Sequence, residues 1–242
     1  MVVAKTYKDE IIKLIDELYE SQKDNIEAAA KMMVKAIMNN GVIHVFGSGH
    51  SVGLGIDISN RLGSLVPIHI MDTADFVYRG GVSIEEFTDK VNIFERRPNM
   101  AGRLYNLYDI RENDVFIVIS NSGINGVVID VAALAKENGH KVCVITSMKH
   151  TTVEDSRHPS GKKLYMFGDV VIDNCGPHGD ALLPTNGPEK VTSVSSICNN
   201  VVAQTMAARI VELLKEEKVE LPILTEDEER NQKIRKYYGG RI

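Results

Sequence analysis

Apolar residues recur at steps of three and four along residues 5–38, which is the spacing of one face of an α-helix. Polar residues at 21–25 interrupt this pattern and favour a bend or a break between two helices. The sequence Asn39-Asn40-Gly41 then ends the helix, because asparagine and glycine readily adopt the left-handed backbone of a C-terminal cap. A long helical segment is therefore predicted ahead of the first strand.

Five short runs of apolar, mostly β-branched residues follow. Segments in which apolar residues have the spacing of a helix lie between several of these runs. Strands that alternate with helices pair in parallel. The pattern predicts an α/β fold with a doubly wound sheet that carries helices on both faces. Residues 73–105 have no clear period and are predicted to form short helices and loops. The predicted strands are 42–46, 67–71, 114–119, 141–146 and 170–173, and the later predicted helices are 52–62, 126–138 and 194–218.

The length of 242 residues suits one large α/β domain, which we expect to span residues 1–242. Within it we predict a helical extension over 1–40, an α/β core over 41–190, and a C-terminal helix with a charged tail over 191–242. The 28 basic and 33 acidic residues give a net charge of −5, which argues against a general attraction to nucleic acid. We therefore expect local dipoles and a few cations to hold any anionic ligand.

The sequence also bears on cellular location. Met1 leads directly into a charged stretch, and no apolar run approaches the roughly 20 residues of a membrane helix. Cys143, Cys175 and Cys198 are scattered without a CxxC spacing, which argues against a zinc site and a disulfide framework. We therefore expect a cytoplasmic protein with no membrane partner, no metal and no cofactor.

Two hydroxyl-rich turns lie where strands are predicted to end. Ligands of parallel sheets bind at this edge, where backbone N–H groups and helix dipoles favour an anion. Serine and glycine also occur in such turns for capping alone, but two such turns at two strand ends favour a phosphate site. The turns are Gly47-Ser48-Gly49-His50-Ser51 and Ser120-Asn121-Ser122-Gly123, the second followed by Asn125 at the start of a helix.

A nucleotide-dependent oxidoreductase is the alternative from another class. Gly47, Gly49 and Gly53 follow one strand, and Asp72 ends the next, where a ribose-binding acid would lie. The spacing is GxGxxxG instead of GxGxxG, and a dinucleotide site gives no reason for the second serine turn. A P-loop is excluded because neither turn ends in Gly-Lys-Ser/Thr, and the GxSxG motif of serine hydrolases is absent.

Other polar residues have simpler interpretations. His44 and His69 lie within strands, and His140 follows a helix, so we expect structural and capping roles for them. The basic loop 157–163 is predicted to be a solvated surface. Two serines would cap the last helix, and the start of that helix would close over a bound sugar. These serines are Ser195 and Ser196.

The segments FGSGHS and SNSGIN, together with SRHPSGK, DVVIDNCGPHGDALL and the serine-opened last helix, resemble the SIS (sugar isomerase) family. The similarity runs over nearly the whole chain and is strongest to stand-alone SIS proteins described as phosphosugar isomerases. The resemblance implies a three-layer α/β/α sandwich with a five-stranded parallel sheet. It also implies a homodimer or homotetramer with sites near the subunit interface.

The resemblance further implies which residues bind the substrate. Ser120, Ser122 and Asn125 would hold the phosphate with the loop amides, whereas Ser51 and His50 would contact the sugar. The predicted substrate-binding set is Gly47, Ser48, Gly49, Ser51, Ser120, Asn121, Ser122, Gly123, Asn125, Ser195 and Ser196. The chain departs from the family pattern at three positions, which points to a difference in rate or substrate. Asn125 stands where many relatives carry threonine, Asp57 where glutamate is expected, and Val52 where a polar residue is expected.

These features predict isomerisation of a sugar phosphate, an amino or keto hexose, by side-chain acid–base groups and without a metal. A lyase or etherase would use the same proton abstraction, and a sensor would keep the phosphate turns without turnover. No helix-turn-helix segment precedes the SIS region, which argues against a transcription regulator. The candidate catalytic residues, in order of preference, are His50, Glu189, Asp57 and His178.

Overall fold

The structure is a computed structural model that describes residues 4–79 and 81–241. Its centre is a parallel sheet of five strands. The strands are β1 (Ile43–Gly47), β2 (Ile68–Met71), β3 (Val115–Ile119), β4 (Lys141–Thr146) and β5 (Val170–Asp173). Their order across the sheet is β2-β1-β3-β4-β5. The predicted doubly wound sheet is therefore confirmed, and each strand bound lies within one residue of its expected position.

Helices cover both faces of the sheet because successive side chains of a strand point to opposite faces. On one face, Ile43 and Ile117 pack with the two longest helices and a shorter one. On the other face, Phe46 and Phe116 pack with a helix of 12 residues and the short helices of the region 73–105. The first group is α1 (Ala4–Met38), α2 (Val52–Ile58) and α8 (Ser195–Glu216), and the second is α3 (Asp75–Tyr78), α4 (Ile84–Phe87), α5 (Ala101–Tyr105) and α6 (Gly126–Glu137). A further short helix, α7 (Met148–Thr151), follows β4.

The predicted bend or break at residues 21–25 is wrong, since α1 is one helix of 35 residues. The polar residues of this segment instead contact the end of the sheet. Gln22 is buried, and its Oε1 accepts a hydrogen bond from the backbone N of Asp173 at 3.0 Å. Asn25 Nδ2 also donates to that oxygen, at 2.9 Å. The polar segment therefore supplies a hydrogen-bond acceptor to the backbone at the end of β5, and it does not interrupt the helix.

Besides the short helix α7, an antiparallel hairpin and a helix near the C-terminus were not predicted from the sequence. Between β5 and α8 lies an antiparallel hairpin of β6 (Ala181–Pro184) and β7 (Lys190–Ser193). Each of its strands has only four residues, too few for a clear alternation of apolar and polar side chains. The other element is α9 (Glu228–Tyr237), whose only buried residue among those described is Asn231. Its sequence therefore carries almost no apolar face.

The predicted helices 52–62 and 194–218 end earlier than expected, at Ile58 and Glu216. No helix among residues 4–79 and 81–241 combines the length and apolar character needed to cross a membrane. The division of the chain into parts 1–40, 41–190 and 191–242 stays a prediction.

Candidate functional site

The two serine turns begin side by side at the carboxyl edge of the sheet. In the register of β1 and β3, Gly47 pairs with Ile119, so Ser48 and Ser120 leave neighbouring strands at the same level. The strand order also reverses between β1 and β3, because β2 lies on one side of β1 and β4 on the far side of β3. Such a switch point opens a crevice between the loops, which is the usual binding position in this class of sheet.

The first turn is tightly folded against the start of α2. A Cβ on Gly47 would lie 2.7 Å from the backbone carbonyl of Ser51, so only glycine fits at this position. Gly49 begins a 3-10 turn with a φ of 58°. Ser48 is buried, Ser51 is half-buried and His50 is exposed. The turn therefore combines two hydroxyl groups and one accessible imidazole at the mouth of the crevice.

The second turn is closed by its own first serine. Ser120 Oγ accepts a hydrogen bond from the backbone N of Gly123 at 3.1 Å. Within residues 4–79 and 81–241, no hydrogen bond uses the N–H groups of Asn121, Ser122 and Ile124 or the Ser122 hydroxyl. These donors lie immediately before α6, whose N-terminus carries a partial positive charge. The arrangement can therefore bind an anion.

The Asn121 side chain is engaged in an amide network. Its Oδ1 accepts from Asn174 Nδ2 at 3.0 Å, and the same nitrogen donates to Asn199 Oδ1 at 2.9 Å. Asn174 follows β5, and Asn199 lies in α8. The network therefore fixes the second turn against the end of the sheet and the last long helix, and the backbone N–H of Asn121 takes no part in it.

Asn125 joins two charged side chains that the sequence analysis did not select. Its Oδ1 accepts from Arg157 Nη1 at 2.7 Å, and its Nδ2 donates to Glu95 Oε1 at 3.2 Å. Asn125 is the N-cap of α6, but its side chain does not bond the helix. Arg157 is exposed, and its guanidinium brings a positive charge to the second serine turn. Neither residue carries a sequence signal of this role beyond its charge.

Neither Ser195 nor Ser196 is the N-cap residue of α8, although both were predicted to cap this helix. Ser195 is buried and is the first residue of α8, and the structure shows no side-chain capping bond from Val194, the N-cap residue. Instead Asp180 accepts from the backbone N of Ser195 at 2.8 Å and from its Oγ at 2.9 Å. The capping group is therefore a carboxylate, which suits the positive end of a helix. Ser196 is exposed.

Two predicted catalytic carboxylates have partners outside the serine turns. Asp57 Oδ2 accepts from Asn200 Nδ2 at 2.8 Å, which joins α2 to α8. Glu189 is exposed near the tip of the hairpin, where its backbone O accepts from Thr185 Oγ1 at 3.0 Å. For the part of the chain that the structure describes, no hydrogen bond joins either carboxylate to the serine turns.

His178 belongs to a cluster with His150 and Glu154. Its Nε2 lies 2.7 Å from Glu154 Oε1, and the two imidazole rings are 4.8 Å apart. One ligand atom from each of the three residues lies within 4.8 Å of the others, and two imidazoles with a carboxylate are a donor set that zinc accepts. Gly179 N donates to His150 Nδ1 at 3.1 Å, however, so protein groups already use one nitrogen of each ring. Burial and the neighbouring His178 and Arg157 side chains lower the pKa of His150, whereas Glu154 and Asp180 act to raise it.

Three other histidines, His44, His69 and His140, lie at the opposite end of the strands. His44 Nε2 is 3.0 Å from Asp114 Oδ2, and its Nδ1 is 3.1 Å from His69 Nδ1. His140 is buried between Tyr105 Oη at 2.7 Å and the Asp114 backbone O at 3.0 Å, so its ring does not cap a helix. Arg241 Nη1 also binds both oxygens of Asp114. This cluster fastens the C-terminal segment to the sheet.

The part of the chain that contains both serine turns matches a known family. A family model described as the SIS domain matches residues 6–147, which is more than half of the chain. The chain therefore belongs to the SIS domain family, and the resemblance seen in the sequence is confirmed.

Similar curated proteins include several UPF0309 proteins. UPF0309 protein lin2794 of Listeria innocua is 34% identical over 242 residues, which cover 98% of this chain and 96% of that protein. UPF0309 protein GK1441 of Geobacillus kaustophilus is 34% identical over 218 residues, which cover 90% of this chain and 84% of that protein.

Solved structures of the same fold include isomerases. The phosphoheptose isomerase GmhA from Neisseria gonorrhoeae has a TM-score of 0.59 at 20% identity, and the match covers 86% of this chain and 96% of that one. A phosphoheptose isomerase from Francisella tularensis has a TM-score of 0.56 at 19% identity, and the match again covers 86% of this chain and 96% of that one. At these identities the likeness concerns the fold.

Proposed function

We propose that the protein binds a phosphorylated sugar and catalyses aldose–ketose, or amino-sugar, phosphate isomerisation. The supporting observation is the pairing of Gly47 with Ile119, because the two serine turns therefore begin side by side at the carboxyl edge of the sheet. The donors of Ser122 and the guanidinium of Arg157 lie at the second turn, next to the N-terminus of α6. Together they suit a phosphate dianion, although the whole chain is acidic.

Membership of the SIS family supports the same ligand class. Two solved proteins of the same fold are named as phosphoheptose isomerases. The fold likeness alone does not carry an activity, because one α/β fold hosts many reactions. The proposal therefore depends on the donors at the crevice, and the relatives add only the expectation of the substrate class.

In the proposed reaction, the phosphate binds at the second turn and the sugar carbons extend toward the first. Binding energy from the phosphate orients the reacting carbons and so lowers the entropic part of the barrier. A base then removes the proton beside the carbonyl, and an acid protonates the carbonyl oxygen. His50 is the first candidate for proton transfer because it is exposed within the first turn. Asp57, His178 and Glu189 are the further candidates, and a homodimer or homotetramer is the proposed assembly.

The test is incubation with glucose 6-phosphate, fructose 6-phosphate and glucosamine 6-phosphate in deuterated water, with the unphosphorylated sugars as controls. We expect deuterium uptake at the carbon beside the carbonyl, and only with a phosphorylated sugar. Loss of a substituent from the sugar would indicate a lyase or etherase, and binding without exchange would indicate a sensor. Tight NAD binding with no sugar-phosphate binding would favour the oxidoreductase and contradict the proposal.

A further inference from the structure

One half-buried carboxylate lies between the two serine turns. Glu95 Oε1 accepts a hydrogen bond from Asn125 Nδ2 at 3.2 Å, which places it at the second turn. Glu95 Oε2 lies 3.3 Å from the position that a Cβ on Gly49 would occupy, which places it at the first turn. Because Gly49 has no side chain, this oxygen approaches the backbone of the first turn closely. A single side chain therefore reaches both serine turns.

The backbone that carries Glu95 is firmly held. Its neighbour Phe94 is buried, with its ring 5.0 Å from that of Phe76 and 5.1 Å from that of Phe87. Arg97 Nη1 donates to Glu86 Oε1 at 2.6 Å, which anchors the other side of the segment. The Arg97 carbonyl also lies 2.6 Å from where a Cβ on Gly126 would be, so the segment packs directly on the start of α6. A carboxylate on such a support is positioned before a ligand binds.

The orientation of the Asn125 amide is also fixed. Arg157 donates to its oxygen, so its nitrogen must face Glu95 and donate to the carboxylate. The ionised form of Glu95 can accept this bond through Oε1 while Oε2 keeps its own lone pairs. Oε2 is therefore available to accept a proton from a ligand held between the turns.

We propose that Glu95 is the catalytic base that takes the carbon-bound proton in the isomerisation, which rests on the proposed function of the crevice. Oε2 removes the proton from the carbon beside the carbonyl, and the C–H electron pair forms the double bond of an enediol. The carbonyl π electrons move to the oxygen, which takes a proton from an acid such as His50. The protonated Glu95 exchanges its proton with solvent in part of the turnovers and then gives a proton to the neighbouring carbon, while the hydroxyl proton on the other oxygen leaves to the acid's conjugate base. The carboxylate is thereby regenerated, and the steps as written require no oxidant and no metal ion.

The test compares Glu95→Gln with wild type for deuterium exchange into sugar phosphates and for binding of the same compounds. Glutamine keeps an oxygen that can accept from Asn125 but cannot take the proton. We expect exchange to fall about 100-fold or more, the usual contribution of a general base, with little change in Kd. Glu137→Gln is the matched control, since Glu137 is exposed at the far end of α6 and should leave exchange unchanged. Thermal melting of each variant reports whether it folds.

The outcomes separate this inference from the proposed function. If wild type exchanges deuterium and a folded Glu95→Gln does so equally fast, Glu95 is not the base, although the crevice still binds and isomerises. If wild type neither binds nor exchanges any sugar phosphate, the proposed function fails and the role of Glu95 fails with it. If Glu95→Gln does not fold, Glu95→Asp decides instead. It keeps the charge but retracts the oxygens, so we expect slower exchange with retained binding, and an unchanged rate would overturn the proposal.

Discussion

Arg157 Nη1 donates a hydrogen bond of 2.7 Å to Asn125 Oδ1, the N-cap residue of α6. Arg157 belongs to the loop after α7, whereas Asn125 ends the second serine turn. The backbone of the same arginine also bonds this turn, since its N donates to the Ile124 carbonyl at 2.9 Å. A guanidinium is therefore fixed beside the donors of the turn, in a protein whose net charge is −5.

Arg157→Gln should weaken binding of a sugar phosphate by about 1.5–3 kcal/mol, because one charge-assisted interaction with the dianion is lost. Titration calorimetry at two salt concentrations measures the loss, and the salt dependence should be smaller in the variant. Arg103→Gln is the control, since Arg103 is an exposed arginine of α5. Equal weakening by both substitutions would mean that overall charge, and not the position of Arg157, sets the affinity.

Ser122→Ala should weaken binding of a sugar phosphate by about 1–3 kcal/mol, the usual cost of one lost hydrogen bond to a charged group. Binding of the unphosphorylated sugar should hardly change. Ser193→Ala, in the exposed strand β7, is the matched control. Equal losses for the phosphorylated and unphosphorylated ligands would refute the assignment of Ser122 to the phosphate.

Gly123→Ala should destabilise the fold more than Gly139→Ala. Both glycines have positive φ values, 63° and 85°, so either alanine costs about 1 kcal/mol or more in backbone strain. Only at Gly123 would the added Cβ collide, 2.9 Å from Thr151 Oγ1, whereas open space surrounds Gly139. The collision should add about 1–3 kcal/mol, measured as the difference in the free energy of unfolding by urea. If the two substitutions lower the free energy of unfolding equally, the close packing of the second turn against α7 does not contribute to stability.

Arg241→Met should lower the free energy of unfolding by about 3–5 kcal/mol, because it leaves a buried carboxylate without its cation. The Asp114 and Arg241 side chains are only 0% and 3% exposed. Urea unfolding at neutral pH measures the change, with Arg103→Met as the control. A loss below about 1 kcal/mol, typical of a surface pair, would show that the cluster does not fasten the C-terminal segment.

Asp114 should also make the protein sensitive to acid. Burial acts to raise its pKa, but hydrogen bonds from His44 and from the backbone N–H groups of Arg111 and Val42 outweigh this and lower it to about 2. In the unfolded chain the pKa is about 3.9. The stabilisation, about 2–3 kcal/mol, is therefore fully present above about pH 4 and is lost as the pH falls through about 2.

Urea unfolding of wild type between pH 6 and pH 2 measures this loss. Asp114→Asn should flatten the dependence between pH 4 and pH 2, whereas Asp24→Asn, an exposed residue of α1, should leave it unchanged. If Asp114→Asn keeps the wild-type slope, other carboxyl groups carry the acid sensitivity.

The local pattern of apolar and polar residues was sufficient to predict most of the sheet and the position of the two serine turns. Each strand is a short, mainly apolar run that contains at least two β-branched residues, and β-branched residues favour extended backbone. The pattern was insufficient for β6, β7 and α9. The two strands have only four residues each, and α9 has few apolar residues, so none of them shows a clear apolar period in the sequence.

The sequence by itself determined the doubly wound sheet, the serine turns at the ends of β1 and β3, and membership of the SIS family. Only the tertiary structure brought Glu95 and Arg157 to Asn125, from which they are 30 and 32 positions away in the sequence. Periodicity and turn chemistry are local properties that neighbouring residues dictate. The meeting of distant charged side chains depends on how helices and loops pack around the sheet, and no spacing in the sequence records that packing.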